Sequence, residues 1–148
     1  MGASLGTIDL SSGSASFGNT PVAGSFIDTA TFTVVTPSVA NGSVTAVVNG
    51  GQDVDFSSIV ITGPAGSFGF NLLNPDPVEL WALPAAGALL SPGSYTLTLT
   101  GTNSAAMGSY GGNIAVSVAP PVPEPETYAL LLAGLGALGF VARRRKAN

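Results

Sequence analysis

The chain has 148 residues, a formal net charge of −4 and neither cysteine nor histidine, so disulfides, thiolate chemistry and catalytic imidazoles are excluded. Its four basic residues stand together at positions 143–146, and the anionic body before them cannot neutralise phosphates, which excludes nucleic-acid binding by the body. About 120 residues before the tail can bury a modest core without metals or disulfides, so we expect one domain and no cofactor.

Alternating apolar and polar residues dominate the body and predict half-buried β-strands. The first clear run places four apolar side chains on one face and three threonines on the other. Turns rich in glycine, proline and asparagine separate the runs. Seven strands are predicted, at residues 26–34, 43–48, 56–62, 67–72, 78–83, 95–100 and 113–118.

No part of the body has the pattern of a long amphipathic helix. Many short strands without helical crossovers predict an all-β fold, a small antiparallel β-sandwich, and a jelly roll is one arrangement that fits. This domain is expected to cover residues 1–119.

From Ala119 onwards the composition changes abruptly. Residues 120–127 are rich in proline, which predicts an extended, exposed linker. Residues 128–142 are uncharged, mostly apolar and without a polar face, which predicts one transmembrane helix flanked by Tyr128 and Ala142. Residues 143–148 form a basic tail, and because positive residues beside a span stay cytoplasmic, we expect the body on the periplasmic side of the inner membrane.

Three parts of this tail follow one another in order: Pro123-Glu124-Pro125, the apolar run and a basic stop. The basic stop consists of Arg143, Arg144, Arg145 and Lys146. In its parts and their spacing, the tail strongly resembles a PEP-CTERM sorting signal. The resemblance implies export by the general secretory route and recognition by an exosortase, a membrane-embedded cysteine transpeptidase that cuts near the Pro-Glu-Pro and removes the helix.

The same resemblance implies a destination. The protein would pass transiently through the inner membrane and then reach the cell surface or the extracellular space, in association with exopolysaccharide and biofilm. We therefore expect a non-enzymatic envelope or matrix protein whose partners are the exosortase, the inner membrane before processing, and exopolysaccharide.

A second segment resembles the FxDxF group of PEP-CTERM proteins through Phe26, Asp28 and Phe32. Ala30 stands where that group has its second phenylalanine, and Phe32 comes one strand repeat later. Because a carboxylate near a strand end most often accepts hydrogen bonds from a neighbouring turn, we expect a structural role for Asp28.

The first seven residues contain neither cations nor a continuous apolar core. A PEP-CTERM protein begins with a cationic segment and an apolar stretch that direct its secretion. We therefore expect the coding sequence to extend in frame upstream of Met1.

Carboxylates are the catalytic groups that the body retains, and Asp53 and Asp55 would share one face of a strand. A secreted carbohydrate-active enzyme using this pair is one alternative, but such acids normally lie in a deep cleft, so we interpret both as solvated. Ca²⁺ takes roughly six to eight oxygen ligands, and this pair of carboxylates supplies too few of them, so we expect no metal site.

Aromatic residues offer a further alternative. Trp81, Tyr95 and Tyr110 are candidates for a platform on which sugars stack, although the alternation of Tyr95 with two leucines predicts packing in the core. Sparse charge also gives weak resistance to self-association, so a self-assembling surface protein is a rival interpretation.

Overall fold

The structure, a computed structural model, describes residues 1–105, 107–121 and 124–146, without the side chain of Lys146. Within these ranges the chain forms eleven strands followed by one helix. The strands are β1 (Ser4–Thr7), β2 (Ser14–Asn19), β3 (Gly24–Val34), β4 (Ser38–Val47), β5 (Val54–Gly63), β6 (Gly66–Gly69), β7 (Asn71–Asn74), β8 (Val78–Ala82), β9 (Ala88–Leu90), β10 (Gly93–Asn103) and β11 (Tyr110–Val118), and the helix is α1 (Pro125–Lys146).

The strands form two sheets. The first has the order β1-β3-β10-β5-β6, and the second has the order β2-β11-β4-β8-β7, with β9 paired to β4. Among the described strands only β1 and β3 pair in parallel, and the other pairings are antiparallel. The predicted all-β fold in two sheets, followed by an apolar helix, is confirmed.

The longest antiparallel pair, β3 with β10, shows how the core is built. Alternate residues of β3 from Phe26 to Val34 are buried, as the sequence pattern predicted, while threonines occupy the outer face. Phe32 of β3 stacks on Tyr95 of β10 with ring centroids 5.5 Å apart. Inward side chains of both sheets join one buried cluster, so the sheets pack face to face.

Four strands are additional to the seven predicted. β1 and β9 are too short to produce a long alternating pattern, and β2 contains Phe17 as its one large apolar residue. The predicted strand at 67–72 is divided into β6 and β7, which belong to different sheets. Phe70 lies at the division with its side chain buried, and its N–H donates to the carbonyl oxygen of Ile59 at 2.9 Å.

The helix is longer than the predicted run at 128–142. It begins at Pro125, because proline is well accommodated in the first helical turn, where its missing N–H has no intrahelical partner. The N–H of Thr127 donates to the carbonyl oxygen of Glu124 at 2.9 Å and closes this first turn. At the other end the helix continues through the arginines to Lys146, since arginine and lysine are good helix formers.

Candidate functional site

Helix α1 has the dimensions of a membrane span. Its 22 residues extend about 33 Å, against a hydrocarbon core of about 30 Å. The segment Pro125–Arg145 has a mean hydropathy of 1.4, and none of it is buried inside the protein. Leucines on every side of the helix are exposed, so the helix requires apolar surroundings that the sandwich does not supply.

The sorting residues lie at the start of this helix. Glu124 is exposed and immediately precedes the helix, and Pro125 is its first residue. Pro123 lies outside the described residues. Tyr128 and Ala142, predicted as the flanks of the span, lie inside the helix, one turn after its start and one turn before its end.

The basic stop occupies the other end. Arg143, Arg144 and Arg145 are exposed on the last turn of α1, and Lys146 is its final residue. The guanidinium carbon of Arg144 lies 5.9 Å from the centroid of the Phe140 ring, one turn earlier. Cations at this end interact favourably with the negative end of the helix dipole, and they mark the end of the apolar surface.

Asp28 is the most connected carboxylate of the sandwich. Its Oδ1 accepts a hydrogen bond from the Ala3 N–H at 2.8 Å, and its Oδ2 accepts from Asn19 Nδ2 at 2.8 Å and from the Tyr110 hydroxyl at 2.7 Å. The side chain is buried beside Phe26 on the inner face of β3. It joins the N-terminal segment, β2 and β11, which is the geometry of a structural clamp.

Tyr110 is held as a donor in this clamp. Burial and the hydrogen bond to the neighbouring Asp28 carboxylate raise the pKa of the phenol far above its ordinary value. Its ring stacks on Phe26 at 6.0 Å and meets Phe56 edge-on at 5.2 Å. The segment containing Phe26, Asp28 and Phe32 is therefore enclosed in the core.

Asp53 and Asp55 lie at the start of β5, and the structure adds Asp76 from the turn between β7 and β8. One oxygen of each carboxylate lies within 4.8 Å of the others. Burial, and then the charges of Asp55 and Asp76, raise the pKa of Asp53. Asp55 and Asp76 are exposed and Asp53 is half-buried, so the three form an open acidic cluster. Sequence reasoning missed Asp76, because only the folded turn brings it near the pair.

Glu79 is a second buried carboxylate that the sequence analysis did not single out. It accepts hydrogen bonds from the Phe56 N–H at 3.2 Å and from Trp81 Nε1 at 2.8 Å. Burial raises the pKa of Glu79, and these bonds only partly oppose the shift. Its parity with Leu83 along the strand is the signal that predicts its inward direction.

The three aromatic residues considered for sugar stacking do not form an open platform. Tyr95 and Tyr110 are buried in the core. Trp81 is half-buried against it and donates its indole N–H to Glu79. Their faces are used for packing, as the alternation around Tyr95 predicted.

Several solved structures are similar to the sandwich. A mutant of the periplasmic inhibitor of g-type lysozyme from Escherichia coli is 18% identical over 79% of this chain and 100% of its own, with a TM-score of 0.45. The pre-peptidase C-terminal domain of a Bacillus anthracis collagenase is 13% identical over 79% and 95%, with a TM-score of 0.39. The corresponding lysozyme inhibitor of Aeromonas hydrophila is 13% identical over 79% and 100%, with a TM-score of 0.35. These distant likenesses carry no functional argument.

Comparison with curated protein sequences gives no match. A family model described as the PEP-CTERM protein-sorting motif matches residues 121–146, and this range contains all of α1. The FxDxF subgroup is not confirmed. The chain carries a PEP-CTERM protein-sorting motif at its C-terminus, which implies an exported protein that is processed by an exosortase.

Proposed function

We propose that this chain is a non-enzymatic envelope protein, held in the inner membrane by α1 until an exosortase cuts near residues 123–125 and transfers the sandwich to the cell surface or the extracellular space. One observation carries the proposal. The matched motif at 121–146 coincides with a helix that is apolar on all sides, exposed along its length and closed by cations.

The direction of insertion follows from charge. Arg143, Arg144 and Arg145 are the cations next to the span, and such residues stay on the cytoplasmic side. The sandwich, which precedes the helix, then lies on the periplasmic side. Glu124, which immediately precedes α1, then lies on the same side at the membrane surface, within reach of a membrane-embedded protease.

A non-enzymatic role agrees with the chemistry of the body. Residues 1–142 contain no lysine, histidine or cysteine, which leaves carboxylates as the available acid-base groups. Asp55 is exposed, and Glu79 is occupied by a backbone N–H and an indole. A carbohydrate-active enzyme would lose hydrolysis of its polysaccharide in Asp55→Asn, whereas we expect no turnover in either form.

Mass spectrometry of the protein from cells with and without the exosortase tests the sorting step. We expect the product from cells with the protease to end near residues 123–126 and to lack every peptide beyond residue 126. Glu124→Ala should leave the full chain uncut, while Ser117→Ala, on the exposed end of β11, should be processed normally. An intact peptide through 143–146 in protease-positive cells would overturn the proposal.

An association with exopolysaccharide rests on the resemblance of the tail alone. A pulldown of the sandwich on bacterial exopolysaccharide tests it, with Trp81→Ala as the comparison. Because Trp81 packs against the core, loss of binding counts only if the variant keeps the parent's unfolding midpoint. Absence of binding by the parent would remove the association and leave the sorting proposal intact.

A further inference from the structure

One groove of the described sandwich has an apolar lining. Its volume is about 980 Å³, and its walls come from the turns after β3 and β5, from β9 and the residue after it, and from the end of β11 with the chain that follows. None of the described residues that line it is charged. Its exposed rim includes Leu89, of which 62% is accessible, and Val118, of which 73% is accessible. We call this surface, with the neighbouring exposed Val35, the apolar end.

The apolar end is where the chain leaves the sandwich for the helix. Ala119 is fixed there, because its N–H donates to the carbonyl oxygen of Pro37 at 2.9 Å. Pro120 and Pro121 form part of the groove wall itself. From Pro121 to the first residue of α1 the chain can span at most about 14 Å. When α1 is in a bilayer, the apolar end is therefore held close to the headgroup region.

Most carboxylates of the sandwich are clustered at one end. Asp9, in the turn between β1 and β2, lies towards the apolar end, because its neighbours Ile8 and Gly13 are hydrogen-bonded to Thr31 and Val116 in the later parts of β3 and β11. Asp53, Asp55 and Asp76 lie at the opposite end, where β5 begins and β4 finishes. Along β4, the last residue, Val47, lies about 30 Å from the first residue, Ser38. The acidic end is thus turned away from the bilayer, where carboxylates would be costly to desolvate, while the apolar end, whose groove has an uncharged lining, is turned towards it.

We propose that the apolar end docks on the interfacial layer of the bilayer that holds α1, with Leu89 and Val118 inserted among lipid headgroups. Exposed apolar patches of this kind mark interaction surfaces. Because the short linker keeps the sandwich beside the bilayer, the effective concentration of lipid at this surface is high. The docking rests on the proposed function, since it requires α1 to be in a membrane. It fixes the height of the sorting segment above the bilayer, where the processing enzyme must reach it.

The absence of cysteine makes a direct test available, because one introduced cysteine is a unique label site. The full chain, as Leu89→Cys, is labelled with an environment-sensitive fluorophore and reconstituted in phosphatidylcholine vesicles, some of which carry headgroup nitroxides. Val47→Cys is the matched control, since Val47 is also an exposed apolar residue, at 52%, but lies at the acidic end. Leu132→Cys reports whether α1 is in the membrane.

We expect the label at Leu89 to shift to shorter wavelength and to be quenched by the nitroxide lipids, and the label at Val47 to remain as in water. Adding Val35→Asp to the Leu89→Cys chain should reverse both signals, whereas adding Thr45→Asp, at the acidic end, should not.

A water-exposed label at Leu89 with a lipid-buried label at Leu132 would overturn the docking and leave the proposed function standing. A water-exposed label at Leu132 would overturn both. A third outcome is a shift of the Leu89 label to shorter wavelength that increases with the protein-to-lipid ratio and is not accompanied by quenching from the nitroxide lipids. This outcome would show that the surface contacts a second copy of the chain and would overturn the lipid proposal.

Discussion

Asp28 shows how a single buried carboxylate can organise a sandwich that has no basic side chains. Among the described residues it is a buried acid with three hydrogen bonds, and its partners come from three separate segments of the chain. The sequence predicted a structural role in which Asp28 accepts hydrogen bonds from a neighbouring turn, but its backbone donor is Ala3, which is 25 residues away in the chain. The side-chain donors Asn19 and Tyr110 could not be predicted, because they reach Asp28 only through the pairing of β2 and β11.

Replacing this acid by its amide tests the clamp. Asp28→Asn keeps the volume but presents an NH₂ group where one oxygen accepted, so at least one buried donor loses its partner. We expect a loss of about 1–3 kcal/mol in the free energy of unfolding. Urea denaturation of the parent and variant, followed by Trp81 fluorescence, measures it.

Asp9→Asn is the matched control, because Asp9 is exposed and its carboxylate accepts its hydrogen bond from the Ser11 N–H in a local turn. Its unfolding midpoint should equal that of the parent. Equal midpoints for Asp28→Asn and Asp9→Asn would show that the clamp contributes nothing to stability.

Glu79 makes the stability of the sandwich depend on pH. Burial raises its pKa above the ordinary value of 4.5, so the folded protein binds this proton more tightly than the unfolded chain does. Its stabilising contribution is complete below pH 4.5 and is lost as the pH rises through the higher pKa of the folded state.

We therefore expect Glu79→Gln to gain stability relative to the parent as the pH rises above 4.5. Urea midpoints of both proteins between pH 4 and pH 7 measure the difference. A difference that stays constant over this range, or falls with rising pH, would contradict the assignment.

At the scale of elements, the central strands were predictable and the short ones were not. β3 and β10 are long, and each alternates strictly between core and solvent, so the period alone identifies them. β9 has three residues and is separated from its partner β4 by four other strands along the chain, so only tertiary pairing defines it. For α1, apolar composition predicted the middle, and the ends were missed because proline and arginine are both compatible with helical turns.

The β-bulge in β5, where Ser57 is skipped in the pairing with β10, depends on a close approach of two backbones. The register against β5 shifts between Thr100 and Gly101, and a β-carbon at Gly101 would meet the carbonyl oxygen of Asp55 and the ring of Phe26. We expect Gly101→Ala to cost about 1–3 kcal/mol in unfolding free energy. Gly69→Ala is the control, because its β-carbon would meet nothing within 4 Å. Its urea midpoint should be equal to that of the parent or higher.

The role of α1 as an anchor can be tested with a single charge. Leu132→Arg places a cation near the middle of the helix, which costs about 2.5–3.5 kcal/mol on insertion scales. We expect the chain to shift from the membrane fraction to the soluble or degraded fraction in cells lacking the exosortase. Leu73→Arg, on exposed β7, adds the same charge and should leave fractionation unchanged. Equal membrane retention of both variants would argue against the span.

For the whole molecule, the order of parts along the chain was the predictable feature. Sorting segment, apolar helix and basic stop are contiguous in sequence, so they need no tertiary structure to be recognised. The apolar end and the acidic cluster are different, because each is assembled from turns that are distant in sequence. Asp76 reaches Asp53 only when β8 pairs with β4 and closes the turn beside it.

Processing should also change the charge of the molecule in a defined way. All four cations lie in the segment that is removed, while six of the eight carboxylates lie in the sandwich and two flank Pro125. Formal charge therefore falls from −4 to −8 if the cut follows Glu126, and to −6 if it precedes Glu124. Anion-exchange chromatography of the precursor and of the secreted product separates these outcomes.

Arg144→Gln provides the internal control for this measurement. Arg144 belongs to the removed helix, so its neutralisation should increase retention of the precursor and leave the retention of the product unchanged. Asp55→Asn, in the sandwich, should decrease the retention of both forms by a similar amount, because it stays with the product. If Arg144→Gln altered the product as much as the precursor, the basic stop would still be attached, and the protein would be a permanently anchored one.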